Sequence, residues 1–222
     1  MPELPDFSAV IFDLDGLVLD TESTYFSAWQ QASGLMGHDC SEAFCRSLSG
    51  LQFTDIEQRL LAAFGNQFNL QVFRTLSTQA WRELVAQQGI AVKPGFRQLL
   101  AALKKLRLPF ALATNSPQVN ALECLTLAGL ENTFANLIAR DHVRAGKPEP
   151  DIYLQAAQQL QTPIRHCLVL EDSYNGVLSA HRAGASVIYV PSGLPSAEAG
   201  LLSTRSVENL NQVAQLIEYK FS

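Results

Sequence analysis

Two aspartates stand two residues apart at the end of an apolar run, Ala9-Val10-Ile11-Phe12-Asp13-Leu14-Asp15-Gly16. Four uncharged residues before Asp-x-Asp-Gly predict a buried strand whose carboxyl end carries both carboxylates into a crevice. That end of an open α/β sheet is where ligands bind. Carboxylates forced together need a cation, or a shared proton, to relieve their repulsion. Beside a cation, Asp13 can attack phosphorus and form an acyl phosphate, which divides one hard displacement into two easier ones. Asp15 is placed to protonate a leaving alkoxide and then to deprotonate water. Gly16 lets the backbone turn sharply next to a ligand. A simple Asp-Gly turn is the plainer alternative, and the buried strand and second acid argue against it.

Three more polar segments follow apolar runs. In Thr114-Asn115-Ser116-Pro117, Ser116 reads as a helix N-cap and Pro117 as the first helical residue. A helix start beside a hydroxyl suits a phosphate oxygen. Capping alone would explain that segment equally well, so the phosphate role of Thr114 rests on its neighbours. Lys147, in Gly146-Lys147-Pro148-Glu149-Pro150-Asp151, precedes another helix start. A cation is misplaced against the dipole there, which assigns Lys147 to neutralising a phosphate or nearby carboxylates. Glu171 and Asp172 supply two further acids. Asp13, Asp15, Glu171 and Asp172, with one lysine and no imidazole or thiolate, form an all-oxygen donor set that points to Mg²⁺ rather than zinc.

These groups need a scaffold that gathers them. Residues 110–114, 136–141, 167–172 and 187–190 read as further short strands, the second of them weaker. Between them lie helical stretches at 96–103, 151–160, 176–183 and 207–219. Alternation of this kind predicts parallel βαβ units, whose strand ends share one sheet edge. The gap after the first strand is too long for a single crossover. It also lacks proline from Asp6 to Lys93 and carries helical periodicity, as in Tyr25, Phe26, Trp29 and Ala32, then Ile56, Leu60, Ala63 and Phe64. The predicted architecture is therefore α/β: a Rossmann-like doubly wound parallel sheet core (residues 1–18 and 92–222) with an inserted α-helical cap domain (19–91).

At 222 residues the chain is long enough for such a core with an inserted unit. Its net charge of −5 offers no basic stripe for nucleic acid. No apolar run approaches the ~20 residues needed to span a bilayer. The start, Met1-Pro2-Glu3-Leu4-Pro5-Asp6, lacks the basic-then-apolar order of a signal peptide. A cytoplasmic monomer acting on a small phosphorylated metabolite is the expectation. Cys40, Cys45, Cys124 and Cys167 form no C-x-x-C pair and read as reduced thiols packed as small hydrophobes, with no redox or metal role.

Four segments together resemble the haloacid dehalogenase-like hydrolase superfamily, in its β-phosphoglucomutase-like phosphatase branch. They are Asp13-Leu14-Asp15-Gly16 through Asp20-Thr21-Glu22, Thr114-Asn115-Ser116, Gly146-Lys147-Pro148-x-Pro150-Asp151 and Glu171-Asp172-Ser173-x-x-Gly176. Order and spacing agree over nearly the whole chain. The resemblance implies Asp13 as nucleophile and Asp15 as general acid/base. It implies Mg²⁺ held by the Asp13 side chain, the Asp15 backbone carbonyl and Asp172, with Glu171 alongside. Thr114, the Asn115 backbone and Lys147 would bind the phosphoryl group, and the cap would close over the substrate and select it.

Departures from the branch choose among its chemistries. Mutases carry a cap histidine where Tyr25 stands, and a cap arginine after a Leu-x-Gly segment. Here Leu48-Ser49-Gly50 is followed by Leu51-Gln52-Phe53-Thr54, with no basic residue. A phosphatase is therefore favoured over a hexose-phosphate mutase. Dehalogenases replace the second aspartate, and phosphonate-cleaving relatives need a cap lysine, whereas no lysine occurs from Met1 to Ala91. A receiver-like phosphoaspartate switch would place its acidic pair before the phosphorylated residue and have no cap. Gln52, Phe53, Thr54 and Trp81 are candidate pocket residues, with a core role as the alternative for the aromatics.

Overall fold

Each apolar run becomes a strand whose residues are buried on both faces, as a parallel sheet covered by helices requires. The computed structural model describes residues 4–48, 51 and 53–221. In chain order the first elements are β1 (Ala9–Phe12) and helices α1 (Thr21–Leu35), α2 (Glu42–Arg46), α3 (Phe53–Phe64) and α4 (Leu70–Gln88). Next come α5 (Phe96–Leu106), β2 (Phe110–Ala113), α6 (Gln118–Leu127), β3 (Leu137–Ile138), α7 (Asp151–Gln159) and β4 (Cys167–Glu171). The chain finishes with α8 (Tyr174–Ala183), β5 (Ser186–Tyr189), α9 (Ala197–Leu202), β6 (Arg205–Ser206) and α10 (Leu210–Lys220).

The six strands are all parallel and run in the order β3-β2-β1-β4-β5-β6. This is the doubly wound, Rossmann-like arrangement expected from the sequence. Its order reverses between β1 and β4, where Ile11 pairs with Val169 and the ladder continues through Asp13 N–H donating to the Leu170 carbonyl at 3.1 Å. Ligands of such sheets bind outside the carboxyl ends at that reversal.

Alternate strand residues face opposite helix layers. Ala9 and Ile11, with Ala111, Ala113, Val169 and Val187, share one core with Ile152 and Ala156 of α7 and Val177 and Ala180 of α8. Phe12 points the other way, meeting Phe96 of α5 edge-on at 5.7 Å and Phe134 at 5.8 Å. α5 packs against α10, burying Leu99 and Leu103 on one and Val213 and Ile217 on the other.

The chain divides into two compact units, Met1–Leu19 with Val92–Ser222, and Asp20–Ala91. The second is helical, with α1 lying along α4 and against α2. Trp81 Nε1–H donates to Thr24 Oγ1 at 3.0 Å, and its ring stacks with Tyr25 at 5.6 Å and 11°. Trp81 is thus a buried core residue of this unit, whereas Thr54 is exposed. Ser49, Gly50 and Gln52 lie outside the described residues, as does the side chain of Phe53.

Several element limits differ from the sequence reading. The strand expected over 136–141 holds only Leu137 and Ile138, because Arg140–His142 turns into a short 3₁₀ segment. The last helix begins at Leu210 rather than Val207, because Asn209 accepts from the Asn211 and Gln212 N–H groups and starts it there. α9 and β6 carry too few residues for a periodicity to show, and the sequence reading missed both.

Candidate active site

Asp13 is the first residue past β1, and its carboxylate is buried. Lys147 Nζ donates to Asp13 Oδ1, to Glu171 Oε1 at 2.6 Å and to the Ala113 carbonyl at 3.0 Å. The lysine therefore ties the ends of β1, β2 and β4 together. It is 4% exposed, so its charge is neutralised by the two acids and not by water. Burial works against that charge, but Asp13 and Glu171 outweigh it and raise the Lys147 pKa above its ordinary value. Burial raises the Asp13 carboxyl well above the usual carboxylate range, Lys147 opposes it, and the Glu171 and Asp15 charges reinforce it. A cation at this point would act in the lowering direction.

Asp15 has a different environment. Its Oδ2 accepts from the Thr114 hydroxyl at 3.1 Å and the Ser116 hydroxyl at 2.8 Å. Thr114 Oγ1 in turn accepts from Ser116 N–H at 3.0 Å. Ser116 is therefore not the cap of α6, contrary to the sequence reading. Pro117 occupies that place, and Asp141 Oδ1 accepts from Gln118 N–H at 2.9 Å instead. Asn115 makes a reciprocal pair with the Lys147 backbone, its Oδ1 accepting at 2.8 Å and its Nδ2 donating at 3.1 Å. That pair holds the Lys147 loop beside the end of β2.

Glu171 ends β4, and both of its oxygens are occupied. Oε1 receives Lys147 Nζ and the Tyr153 hydroxyl, each at 2.6 Å. Oε2 receives Asp172 N–H at 3.0 Å, and Ser173 N–H and Oγ each at 3.1 Å. Ser173 Oγ also caps α8 by accepting from Gly176 N–H at 3.2 Å. A Cβ on Gly176 would collide with the Glu171 carboxylate, which explains the glycine in Glu171-Asp172-Ser173-x-x-Gly176. Tyr153, absent from the sequence reading, lies on α7 with its ring 5.0 Å from Lys147 Nζ. Burial first, and then the Glu171 charge, raises its phenol pKa, which keeps the hydroxyl a donor. Its one sequence signal is position, six residues after Lys147 on the buried face of the next helix.

Asp13, Glu171 and Asp172 bring carboxylate oxygens within 4.8 Å of one another, all three buried. Gly16 has φ +88°, and a Cβ there would overlap Asp172 Oδ2, so the bare backbone makes room for that carboxylate beside the Asp13–Asp15 turn. The donors are hard oxygens, which fits a divalent cation of the Mg²⁺ type. Asp13 and Asp172 suit direct ligation of such a cation better than Glu171, whose oxygens already accept five protein donors.

The parallel sheet thus gathers its acids at the reversal point, where sheets of this kind bind ligands. A family model of haloacid dehalogenase-like hydrolases matches residues 7–184, and the chain belongs to that family. Within it the chain stands with the phosphatases. It is 34% identical over 181 residues to the phosphorylated carbohydrates phosphatase of Thermotoga maritima, covering 82% of this chain and 83% of that one. It is 30% identical over 186 residues to the fructose-1-phosphate phosphatase YqaB of Escherichia coli, covering 83% and 96%. The crystal structure of a putative β-phosphoglucomutase from Thermotoga maritima superposes with a TM-score of 0.80 at 30% identity, covering 96% of this chain and 99% of that one. These agree with the branch recognised from the four motifs. Among the described residues no helix is long and apolar enough to cross a membrane.

Proposed function

We propose that this chain is a Mg²⁺-dependent phosphatase for a small phosphorylated metabolite, a sugar phosphate or similar ester, working through an aspartyl phosphate on Asp13. The observation that carries this reading is the unequal treatment of two acids two residues apart. Lys147 and burial hold Asp13, whereas two hydroxyls hold Asp15. Asp13 attacks phosphorus while Lys147 fixes its other oxygen, and the ester oxygen leaves with a proton from Asp15. Asp15 then takes a proton from water, which attacks the same phosphorus and frees Asp13. Thr114, Asn115 and Lys147 line the place where the phosphoryl oxygens gather. Asp13, Asp172 and the Asp15 backbone carbonyl would hold Mg²⁺, which when bound neutralises charge on the phosphoryl group.

Phosphate release from p-nitrophenyl phosphate tests this, with and without EDTA, for the native chain and Asp13→Asn. The substitution is expected to lower kcat by about a thousandfold or more, and EDTA to abolish activity reversibly. Equal activity of the two proteins would remove Asp13 as nucleophile. A phosphometabolite panel scored by kcat/KM is expected to rank sugar phosphates first, as the names of both relatives suggest. Four free cysteines agree with a reducing, cytoplasmic setting.

A hexose-phosphate mutase is the weaker reading. It needs a second phosphate grip, yet Tyr25 stands where mutases carry histidine and is stacked on Trp81 and Trp29. The segment 48–54 carries no Lys or Arg. Accumulation of an isomeric sugar phosphate faster than free phosphate would favour the mutase.

A further inference from the structure

Cys40 and Cys45 lie in the helical unit, well apart in sequence from every residue of the acidic edge. Their Sγ atoms are 3.3 Å apart and in hydrogen-bond contact. Both are buried, packed with Phe26 against Trp29, Phe44 and Phe64. The turn into α2 brings them together. Cys40 precedes the cap residue Ser41, whose Oγ accepts from Phe44 N–H at 3.2 Å, and Cys45 follows on the first turn of the helix. A disulfide bond is about 2 Å long, so roughly 1 Å of approach would join the two sulfurs.

We propose that Cys40 and Cys45 form a modification site, a dithiol that peroxide converts into an intramolecular disulfide. Cys40 is the attacking sulfur. Its hydrogen bond with Cys45 lowers its pKa against the opposing effect of burial, whereas the same bond and burial raise that of Cys45. The Cys40 thiolate attacks one peroxide oxygen, the O–O bond breaks, and Cys40 becomes a sulfenic acid as one water leaves. Cys45 sulfur then attacks the Cys40 sulfur, the S–O bond breaks, and the Cys45 proton leaves with the hydroxyl as a second water. Two thiols are oxidised and one peroxide is reduced to two waters. A dithiol reductant reverses the step by exchange.

This departs from the sequence expectation that all four thiols are inert. A four-residue gap carries no pairing signal of its own; the loop-to-helix turn supplies the proximity. Cys124 and Cys167 serve as internal references. Burial pushes the Cys167 thiol up to about 11, and its Sγ faces the carbonyls of Thr162 and Pro163.

The test uses the full chain treated with hydrogen peroxide, quenched, and blocked with N-ethylmaleimide. Because Arg46 is the first Lys or Arg of the chain, Cys40 and Cys45 fall in one tryptic peptide ending there. That peptide is expected to lose two hydrogens, escape alkylation and recover both thiols with dithiothreitol, while the thiol count in denaturant falls from four to two. In Cys45→Ser, Cys40 is expected to stop at a sulfenic acid that dimedone captures. Retention of all four thiols would overturn the proposal, as would oxidation of Cys124 or Cys167 at the same rate. So would a native peptide that gains oxygen without losing hydrogen. The native-chain readout stands even where a variant folds poorly.

Discussion

The Tyr153 hydroxyl donates to Glu171 Oε1 at 2.6 Å, the same oxygen that receives Lys147 Nζ. Tyrosine and lysine thus share one acceptor, and the lysine reaches Asp13 from that anchored position. Tyr153→Phe keeps the ring beneath Lys147 and removes one donor from a buried charge. It is expected to destabilise the core by about 1–3 kcal/mol, read by urea unfolding. It should also lower kcat by about tenfold or less, with KM nearly unchanged, since Lys147 keeps both of its acids. A kcat equal to that of the native enzyme would mean that Glu171 holds Lys147 in place without help from Tyr153.

Removing the lysine exposes the opposite side of the same balance. In Lys147→Ala, Asp13 and Glu171 lose their cation inside the protein, a change expected to cost about 3–5 kcal/mol near neutral pH. The Asp13 carboxyl already sits above its ordinary 3.8 in the folded state, chiefly through burial, and loss of Lys147 raises it further. A folded-state pKa above the unfolded value favours the folded state when the group is protonated, and that advantage fades as pH rises through the folded pKa. The deficit of Lys147→Ala should therefore shrink as pH falls from neutral toward 4, measured by denaturant titration in EDTA. A deficit that grows on acidification would contradict a raised Asp13 pKa as its source.

Two glycine-to-alanine changes should move stability in opposite directions although both residues are helical. Gly34 in α1 has no neighbour within 4 Å of an added Cβ. Gly34→Ala should stabilise by about 0.5–1 kcal/mol through helix propensity alone. Gly176 in α8 lies against the Glu171 carboxylate, so Gly176→Ala should destabilise by about 1–3 kcal/mol through overpacking. It should also lower activity, because Glu171 must shift from Lys147. Thermal unfolding of the pair, with phosphatase assays, checks both signs.

The Asp15 environment gives a separate expectation. Ser116→Ala removes its shorter hydroxyl contact and leaves that of Thr114. Activity should fall by about tenfold, mostly in kcat, and Ser116→Thr, which keeps a hydroxyl, should restore much of it. Unchanged kcat in the alanine variant would show that Thr114 alone orients the acid.

What could be read from sequence follows from how each signal is encoded. Asp13, Thr114, Lys147, Glu171 and Asp172 were legible because each stands at a strand end or in a turn, where polarity breaks an apolar run. The doubly wound core was legible because buried parallel strands leave uninterrupted apolar stretches such as 9–12 and 167–170. Tyr153 was not, since a buried tyrosine on an amphipathic helix looks like any core aromatic until its hydroxyl is seen to meet Glu171. Ser116 looked like a cap because serine before proline is a common helix start, and only the fold shows Pro117 in that place and the Ser116 hydroxyl turned to Asp15. β6 and α9 are too short for any period to emerge. The Cys40–Cys45 contact depends on how a loop enters α2, which side-chain spacing does not encode.

The strand order has a consequence for how the molecule comes into being. In the sheet β1 is flanked by two strands that are encoded about 100 and 160 residues after it. At roughly 5–20 residues per second of translation, this fully apolar strand waits on the order of ten seconds or more for β4 to leave the ribosome. Until then Asp13 has neither Lys147 nor Glu171 beside it. Assembly of the acidic cluster is therefore a late event of biogenesis, and a nascent chain that stalls before residue 172 carries Asp13 without its partners and an unpaired strand open to misassociation.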